Sequence, residues 1–321
     1  MNDHWPTLQT KINITIMGLL SILFFVPAFA ADDVETIESV TIIGSAEDLR
    51  KLPGSGQIVP NEELLKAMDT DIQKILTAVP GVYMRTEEGY GLRPNISIRG
   101  TAIERSGKVT IMEDGVLVAP SPYTSSSAYY FPTTGRIHSV EVLKGPASVS
   151  QGPQTIGGAI NLISTPIPNA PSGKFVQELG ENGMMRTHAY YGGTSGNFGA
   201  LVEVHEHESD GFDSIANVGG DTGFDKSDLM VKAKYESGAH SLTLKMVDID
   251  ENSNQSYVGL SQASFNANPR VRYGATAYDK MMNDGEQTSL TYVGDFENFN
   301  VQFTSWQNDY HRDWFKVSDF N

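Results

Sequence analysis

Three residues with metal-ligating side chains stand close together in the sequence. Glu203, His205 and His207 alternate along a β-prone run, so their side chains face the same side of the strand. Two imidazoles beside a carboxylate could hold a transition metal. The same alternation is typical of a strand whose polar face looks into the lumen of a closed sheet. We favour this second interpretation, and the sequence predicts no metal site.

A glycine-rich stretch has the opening of a phosphate-binding loop but not its end. Residues 152–159 read GPQTIGGA, and two of the glycines have the spacing of a P-loop. Gly158 and Ala159 stand where a lysine and a hydroxyl residue would hold phosphate and magnesium. The next residues are predicted to form a strand, whereas a P-loop opens a helix. The stretch is therefore predicted to turn the backbone tightly rather than to bind a nucleotide.

No arrangement of residues indicates catalysis, and the protein is predicted not to be an enzyme. Ser55 lies in Pro-Gly-Ser-Gly, outside the Gly-x-Ser-x-Gly setting of a hydrolase nucleophile. The 321 residues include no cysteine, which excludes thiolate catalysis and disulfides. The 39 acidic and 23 basic residues give a net charge of -16, which disfavours binding to nucleic acid.

The N-terminus has the pattern of an exported protein. Lys11 precedes an apolar run over residues 12–29, which ends in the small-x-small sequence Ala-Phe-Ala. This predicts a signal peptide over residues 1–30, cleaved near Ala30. An uncleaved membrane anchor is the alternative, because the run approaches spanning length. The mature protein is predicted to be soluble outside the cytoplasm or to enter a membrane as a β-barrel.

Residues 48–165 are predicted to form a small α+β unit. Asn61 is an N-cap for a short helix that starts over 61–65, and Thr70 or Asp71 caps a second over 72–78, which Pro80 and Gly81 end. Short apolar runs, with an Asp-Gly turn signal between two of them, predict strands over 95–99, 109–112, 116–118, 137–143 and 159–163. A further β-prone run at residues 39–43 is either an ordinary first strand or a detachable strand for a partner's sheet edge.

After residue 165 the helix signals vanish and alternating strands follow. We predict seven, over 173–180, 184–192, 198–208, 225–236, 240–248, 286–294 and 297–310. Short connections on one side and long loops at 209–224 and 249–285 on the other are typical of outer-membrane barrels. A soluble β-sandwich is the alternative.

Four motifs occur in the order of a known family. They read NISIRG at 95–100, EDGV at 113–116, VEVLKGPA at 140–147 and GGAINLI at 157–163. Over about residues 35–165 the chain resembles the plug domain of TonB-dependent outer-membrane receptors. Shorter stretches are similar to the ferric dicitrate receptor branch: GLRPN at 91–95, ERS at 104–106, APSPY at 119–123 and AYYFP at 128–132.

The resemblance implies an α+β plug domain followed by the first strands of an antiparallel transmembrane β-barrel, about seven of an expected ~22. It implies a signal peptide at 1–30, a periplasmic lead with a TonB box at 31–47, a plug at 48–165 and a partial barrel at 166–321. The sequence looks like the front of a longer protein, and the chain as given is expected not to transport.

The resemblance also implies a function in the outer membrane of a Gram-negative bacterium. The receptor is expected to import an iron(III) chelate, ferric citrate or a related siderophore, and to bind no covalent cofactor. The expected partners are TonB with its inner-membrane energising complex, the chelate and outer-membrane lipid. TonB would pull on the box with the proton-motive force and rearrange the plug. A receptor for haem, cobalamin or an oligosaccharide is one alternative, and a secreted β-sandwich binding protein another.

Site residues follow from the same resemblance. The TonB box is predicted at Glu38, Ser39, Val40, Thr41, Ile42 and Ile43. The ligand, anionic if it is ferric citrate, is expected at the plug apex on Arg93, Arg105, Lys108, Tyr123, Tyr129 and Tyr130, although the tyrosines could instead pack against barrel aromatics. Arg99 and Lys144 are expected to lock the plug to carboxylates of the barrel wall, and Gly157 with Gly158 to form a plug hinge.

Overall fold

The structure, a computed structural model, describes residues 41–43, 48–67, 71–85, 87, 89–118 and 130–318. The predicted signal peptide and Glu38, Ser39, Val40, Tyr123 and Tyr129 lie outside the described residues. The α-helices of the described residues are short: α1 Asn61–Ala67, α2 Ile72–Thr77 and α3 Gln262–Ala267. None of the helices in the described part of the chain combines the length and the apolar character that crossing a bilayer requires.

A five-stranded mixed sheet forms the centre of the first unit. Its strands lie in the order β1-β6-β7-β4-β5, and β4 pairs with β7 in parallel. A separate hairpin is formed by β2 and β3. The strand bounds are β1 Ser55–Val59, β2 Val82–Arg85, β3 Asn95–Ile98, β4 Val109–Glu113, β5 Val116–Leu117, β6 Ile137–Lys144 and β7 Gly158–Ser164.

Local sequence signals account for several of these elements. The side chain of Asp71 caps α2 by accepting a hydrogen bond from the backbone N–H of Gln73 at 2.8 Å. Asp114 and Gly115 turn β4 into β5 with φ angles of 49° and 75°, as an Asp-Gly hairpin turn requires. The strand β1 was not predicted, because its Ser-Gly-Gln start reads as a loop.

A second sheet contains seven antiparallel strands in the order β16-β15-β13-β12-β10-β9-β8. The seven predicted strands are thereby confirmed. They form one sheet, so the alternative of a two-sheet sandwich is wrong for this segment. The bounds are β8 Ser172–Leu179, β9 Met185–Ser195, β10 Phe198–Ser209, β12 Phe224–Ser237, β13 His240–Ser253, β15 Lys280–Phe296 and β16 Phe299–Phe315.

The strands beside the second long loop extend further than the sequence suggests. The strand β13 continues to Ser253 and β15 begins at Lys280, because their backbones stay paired through residues rich in Asp, Glu and Asn. The loop between them also contains β14 Val271–Arg272, which pairs in parallel with β11 Ser214–Ile215 of the first long loop. The two long loops are thus joined by backbone hydrogen bonds.

One hydrophobic core joins the first unit to the seven-stranded sheet. Ile111 and Val140 of the five-stranded sheet belong to the same buried cluster as Met230 and Val247, whose strands are β12 and β13. The opposite face of the seven-stranded sheet exposes apolar side chains, among them Val202, Val231, Leu244, Met246, Leu290 and Phe303. The inner face of this sheet therefore completes the core of the first unit, while its outer face is apolar and uncovered.

Candidate functional site

Buried charges bind the first unit to the inner face of the seven-stranded sheet. The ammonium group of Lys245, on β13, donates to a carboxylate oxygen of Glu113 and to one of Asp114, both at 2.6 Å. The other oxygen of Glu113 accepts a bond of 2.8 Å from Arg136. The ammonium of Lys232, on β12, lies 3.7 Å from Asp114. These five residues form the anchor cluster.

The turn between β4 and β5 positions the acidic side of the anchor cluster. Asp114 accepts a backbone hydrogen bond of 3.0 Å from Ser164, at the end of the neighbouring β7, and a second bond from its hydroxyl. Burial alone would raise the pKa of Asp114, but the nearby charges of Lys232 and Lys245 outweigh it and the pKa is lowered. Asp114 is therefore held as a carboxylate.

Arg136 and Tyr130 extend the contact from the anchor cluster to Tyr310 on β16. Burial disfavours the charged guanidinium, yet the adjacent Glu113 and Tyr130 raise the pKa of Arg136 well above its usual value. The guanidinium of Arg136 donates to the Tyr130 hydroxyl at 2.5 Å. The Tyr130 ring stacks on Tyr310 with 5.5 Å between ring centroids. Tyr130, predicted at the ligand site, is thus buried against a sheet aromatic, which was the alternative considered for it.

Arg93 forms a second buried contact with the sheet. Its guanidinium donates to both carboxylate oxygens of Glu251 on β13, and the two side chains are 2% and 1% exposed. Lys226 lies 3.9 Å from the same carboxylate and donates to the carbonyl oxygen of Phe131 at 2.9 Å. The structure thus places Arg93 where the first unit contacts the seven-stranded sheet, with its guanidinium bound to Glu251, rather than on the surface.

Glu203 and His205 face inward from β10, as their alternation predicts, and both are 2% exposed. One oxygen of Glu203 lies 2.6 Å from Nε2 of His188 and accepts a bond of 2.8 Å from Thr165. The His205 and His207 rings are 6.4 Å apart, centroid to centroid. Within the described residues, no group of three or more acidic or histidine side chains is arranged to hold a metal ion.

Arg99 and Lys144, the predicted locks, lie near each other on the first unit. Arg99 donates to the hydroxyl of Ser55 at 3.0 Å, and Lys144 donates to the carbonyl oxygen of Pro80 at 2.9 Å. Partial burial, followed by the positive charge of Arg99, lowers the pKa of Lys144. The contacts described for this pair are to a hydroxyl and a carbonyl oxygen of the same unit, and the role of the pair as a lock stays a prediction.

Arg105 and Lys108 lie nearer the surface than Arg93. The guanidinium of Arg105 is 2.8 Å from the carboxylate of Glu87, and both side chains are about one-third exposed. The backbone of Arg105 has a left-handed φ of 52° and its N–H bonds to Asn95, which fixes the direction of the side chain. Lys108 is half-buried. An ion pair that solvent can reach is free to open toward an anion.

The described end of the predicted TonB box is docked on the first unit. Thr41, Ile42 and Ile43 belong to no strand. The backbone N–H groups of Ile42 and Ile43 donate to the two carboxylate oxygens of Glu141, at 2.7 and 3.2 Å. The side chain of Ile43 is 5% exposed. Of the two interpretations of this run, an ordinary strand does not describe these three residues.

The paired glycines stand where a side chain would collide with the backbone. A Cβ on Gly158 would overlap the carbonyl oxygen of Leu143 on the adjacent strand, and one on Gly157 would lie 3.0 Å from the carbonyl oxygen of Lys108. Gly158 begins a strand rather than a helix, which excludes the P-loop geometry. The predicted tight turn is present, while the hinge role of these glycines stays a prediction.

Sequence reasoning missed the anchor cluster because its members are scattered along the chain. Glu113 and Asp114 belong to a turn signal and to the motif EDGV, neither of which indicates an ion pair, and Arg136 carries no local signal. The available signal was the alternation of β12, in which Lys232 and Lys234 fall on the same side as Met230. Lysines on the buried side of a strand require buried carboxylates opposite them.

Comparison with known proteins identifies the first unit. Residues 48–159 match the family model described as TonB-dependent Receptor Plug Domain. The chain carries a TonB-dependent receptor plug domain. This confirms, for these residues, the plug domain that the four sequence motifs predict, and the five-stranded sheet with its hairpin is from here on called the plug.

Curated proteins that are similar to this chain carry different names. The chain is 31% identical over 159 residues to the iron-regulated outer membrane virulence protein of Vibrio cholerae, covering 47% of this chain and 24% of that protein. It is 24% identical over 308 residues to the vitamin B12 transporter BtuB of Photobacterium profundum, covering 88% of this chain and 48% of that protein. The chain thus spans less than half the length of these relatives.

Solved structures share the fold of the plug and the seven-stranded sheet together. The ferric citrate transporter FecA in its unliganded form superposes with a TM-score of 0.70 at 21% identity, over 85% of this chain and 42% of that one. The ferric yersiniabactin uptake receptor FyuA of Yersinia pestis superposes with a TM-score of 0.67 at 20% identity, over 81% and 41%. The predicted fold class, a plug followed by strands of a receptor barrel, is confirmed.

Proposed function

We propose that the chain is part of a TonB-dependent outer-membrane receptor that imports an iron(III) chelate. The observation that carries this proposal is the plug docked by the anchor cluster and the Arg93–Glu251 pair on the inner face of a sheet whose outer face is apolar. An apolar outer face suits lipid, and a polar inner face suits an aqueous lumen. The names of FecA, FyuA and the V. cholerae relative support iron or siderophore uptake.

In this proposal the plug blocks the lumen until energy from the inner membrane reaches it. The chelate binds from outside at the plug apex, and TonB pairs with residues 38–43 in the periplasm by adding a strand. The signal peptide at 1–30 directs export. Arg105 and Lys108 supply cationic contacts to an anionic chelate such as ferric citrate, because Arg forms forked hydrogen bonds with carboxylates. The protein acts as a transporter and not as an enzyme.

The test is uptake by cells that carry the complete gene and no other receptor for the chelate. Radiolabelled iron supplied as ferric citrate should enter in a TonB-dependent manner, and should stop when the proton-motive force is collapsed. Ferric citrate that enters equally well without TonB would refute the proposed mechanism. TonB-dependent uptake of a different siderophore, with none of citrate, would retain the importer and exclude the dicitrate branch.

A second candidate is the uptake of a corrinoid. It is favoured by the alignment with the vitamin B12 transporter, which extends over 88% of this chain. Labelled cyanocobalamin in the same cells separates the two candidates. TonB-dependent accumulation of cyanocobalamin without accumulation of iron would establish the second.

A further inference from the structure

Resting on the proposed function, we propose that Glu141 is a latch that competes with the periplasmic partner for the backbone of the TonB box. The latch consists of Glu141, the N–H donors of Ile42 and Ile43, and the amide of Asn161. While it is closed, these two N–H groups are engaged by the plug. A partner strand can pair with these N–H groups only after their hydrogen bonds to Glu141 have broken.

The geometry of the latch is that of a bidentate anion site. The Ile42 N–H donates to one carboxylate oxygen of Glu141 at 2.7 Å, and the Ile43 N–H donates to the other at 3.2 Å. Hydrogen bonds to an ionised acceptor are shorter and stronger than those between neutral groups. Successive N–H groups that point to the same side form a concavity that suits an anion.

The plug holds the carboxylate in position independently of the box. Glu141 lies within β6, is 2% exposed and pairs in register with Asn161 of β7. The side-chain amide of Asn161 donates to Glu141 at 3.0 Å, and its oxygen accepts the N–H of Gly115 at 2.9 Å. The carboxylate is therefore oriented by two neighbouring elements of the plug before the box arrives.

Apolar packing also stabilises the docked TonB box. The side chain of Ile43 packs in a buried cluster with Met112, Leu143 and Ala159. When the box leaves, this contact is lost and Glu141 loses two donors while it stays in a buried place. A buried carboxylate that loses donors is costly, so the docked state is favoured in the absence of a partner.

Strand addition cannot use the docked conformation. In an extended strand, successive N–H groups point to opposite edges, whereas Glu141 binds those of Ile42 and Ile43 together. Residues 41–43 accordingly lie outside any strand. Extending the box to pair with a partner must break at least one of the two bonds. The latch therefore lowers the affinity of the partner for the TonB box.

The experiment uses the natural absence of cysteine. A single Ser39→Cys substitution carries a nitroxide label, and its mobility is measured by electron paramagnetic resonance in the membrane-inserted receptor. The Glu141→Gln variant keeps the shape of the side chain but removes its charge. We expect a several-fold larger mobile fraction, and about ten-fold tighter binding of the purified periplasmic domain of TonB.

A matched control and a second variant keep the test sharp. Glu62→Gln makes the same chemical change at an exposed residue whose carboxylate pairs with Lys66 on α1. Ile43→Pro removes one N–H donor and the buried apolar contact of the box but leaves Glu141 unchanged, so it should raise the mobile fraction even if Glu141→Gln folds poorly. Combining both changes should add little, because they break the same contact.

The outcomes are distinguishable. Mobility and affinity in Glu141→Gln that equal those of Glu62→Gln, or an immobile label in Ile43→Pro, would overturn the latch. A wild-type receptor that binds the TonB domain with an affinity that Glu141→Gln does not change also overturns it. If no variant binds the TonB domain, the proposed function fails and competition fails with it, while label mobility still decides whether Glu141 docks the box.

Discussion

Replacing Glu113 with glutamine should destabilise the plug by weakening its attachment to the sheet. Glu113 is 1% exposed and lies between Arg136 at 2.8 Å and Lys245 at 2.6 Å. Glutamine keeps the shape but removes the negative charge, which leaves two buried cations with less compensation. Removing one member of a buried ion pair typically costs about 3–5 kcal/mol. Arg136 still donates to the Tyr130 hydroxyl, and Lys245 still pairs with Asp114. We therefore expect a cost at the lower end of this range, about 3 kcal/mol.

Urea unfolding of the plug measures this cost. The chain has no cysteine, so an exposed Ser150→Cys with a fluorescent label reports the plug alone. With a slope of roughly 1–3 kcal/mol per molar urea, a loss of about 3 kcal/mol lowers the midpoint by about 1–3 M. Adding Lys245→Met to Glu113→Gln removes the excess cation and should recover part of the loss.

Glu62→Gln is the control for the same chemical change on the surface. Its pair with Lys66 has side chains that are 77% and 71% exposed, and such helix pairs contribute only about 0.3–0.5 kcal/mol. The midpoint should move by less than about 0.5 M. If Glu113→Gln shifts the midpoint no more than this control, the anchor cluster does not hold the plug and the reasoning is refuted.

Three further predictions concern the same chain. The pKa of Asp114 is 3.8 in the unfolded chain and lower in the folded plug, so its carboxylate stabilises the plug above pH 3.8. This stabilisation is lost as the pH falls toward the folded pKa, and between pH 5 and 3 the urea midpoint should therefore fall less in Asp114→Asn than in wild type. Gly158→Ala should cost about 1–3 kcal/mol because its Cβ meets the Leu143 carbonyl, whereas Gly259→Ala, with open space around it, should leave the midpoint unchanged. Arg105→Gln should weaken chelate binding about ten-fold in a titration of the complete receptor, and normal binding would remove Arg105 from the apex site.

Periodicity predicted the seven-stranded sheet well because its pattern is local. Leu229, Val231 and Ala233 alternate with Met230 and Lys232, and the buried face follows from that alternation. The ends of β13 and β15 that border the second long loop were missed because most residues there are polar or glycine and the alternation is broken. Backbone pairing with a neighbouring strand, which no single segment reveals, keeps those residues extended.

The contacts between plug and sheet could not be predicted in the same way. Which lysine meets Glu113 depends on the register of β13 and on how the plug rests on the sheet, neither of which is encoded near Glu113. The resemblance predicts Arg93 at the ligand, where arginine would suit an anion, and this role stays a prediction. The carboxylate that it binds, Glu251, sits in a stretch predicted to be a loop. Where a charge meets a charge from far along the chain, residue type alone indicates the chemistry but not the partner.

The distance in sequence between these partners has a consequence for biogenesis. Arg93 and Glu251 are 158 residues apart, and Glu113 and Lys245 are 132 apart. Closing such long loops is slow, and the favourable contacts that offset the entropy of loop closure form only once the strands of the sheet exist. The plug is made first, yet its core is completed by Met230 and Val247. Before those strands form, the nascent plug must therefore expose apolar surface, and a chaperone that binds exposed apolar segments would protect it until the sheet has paired.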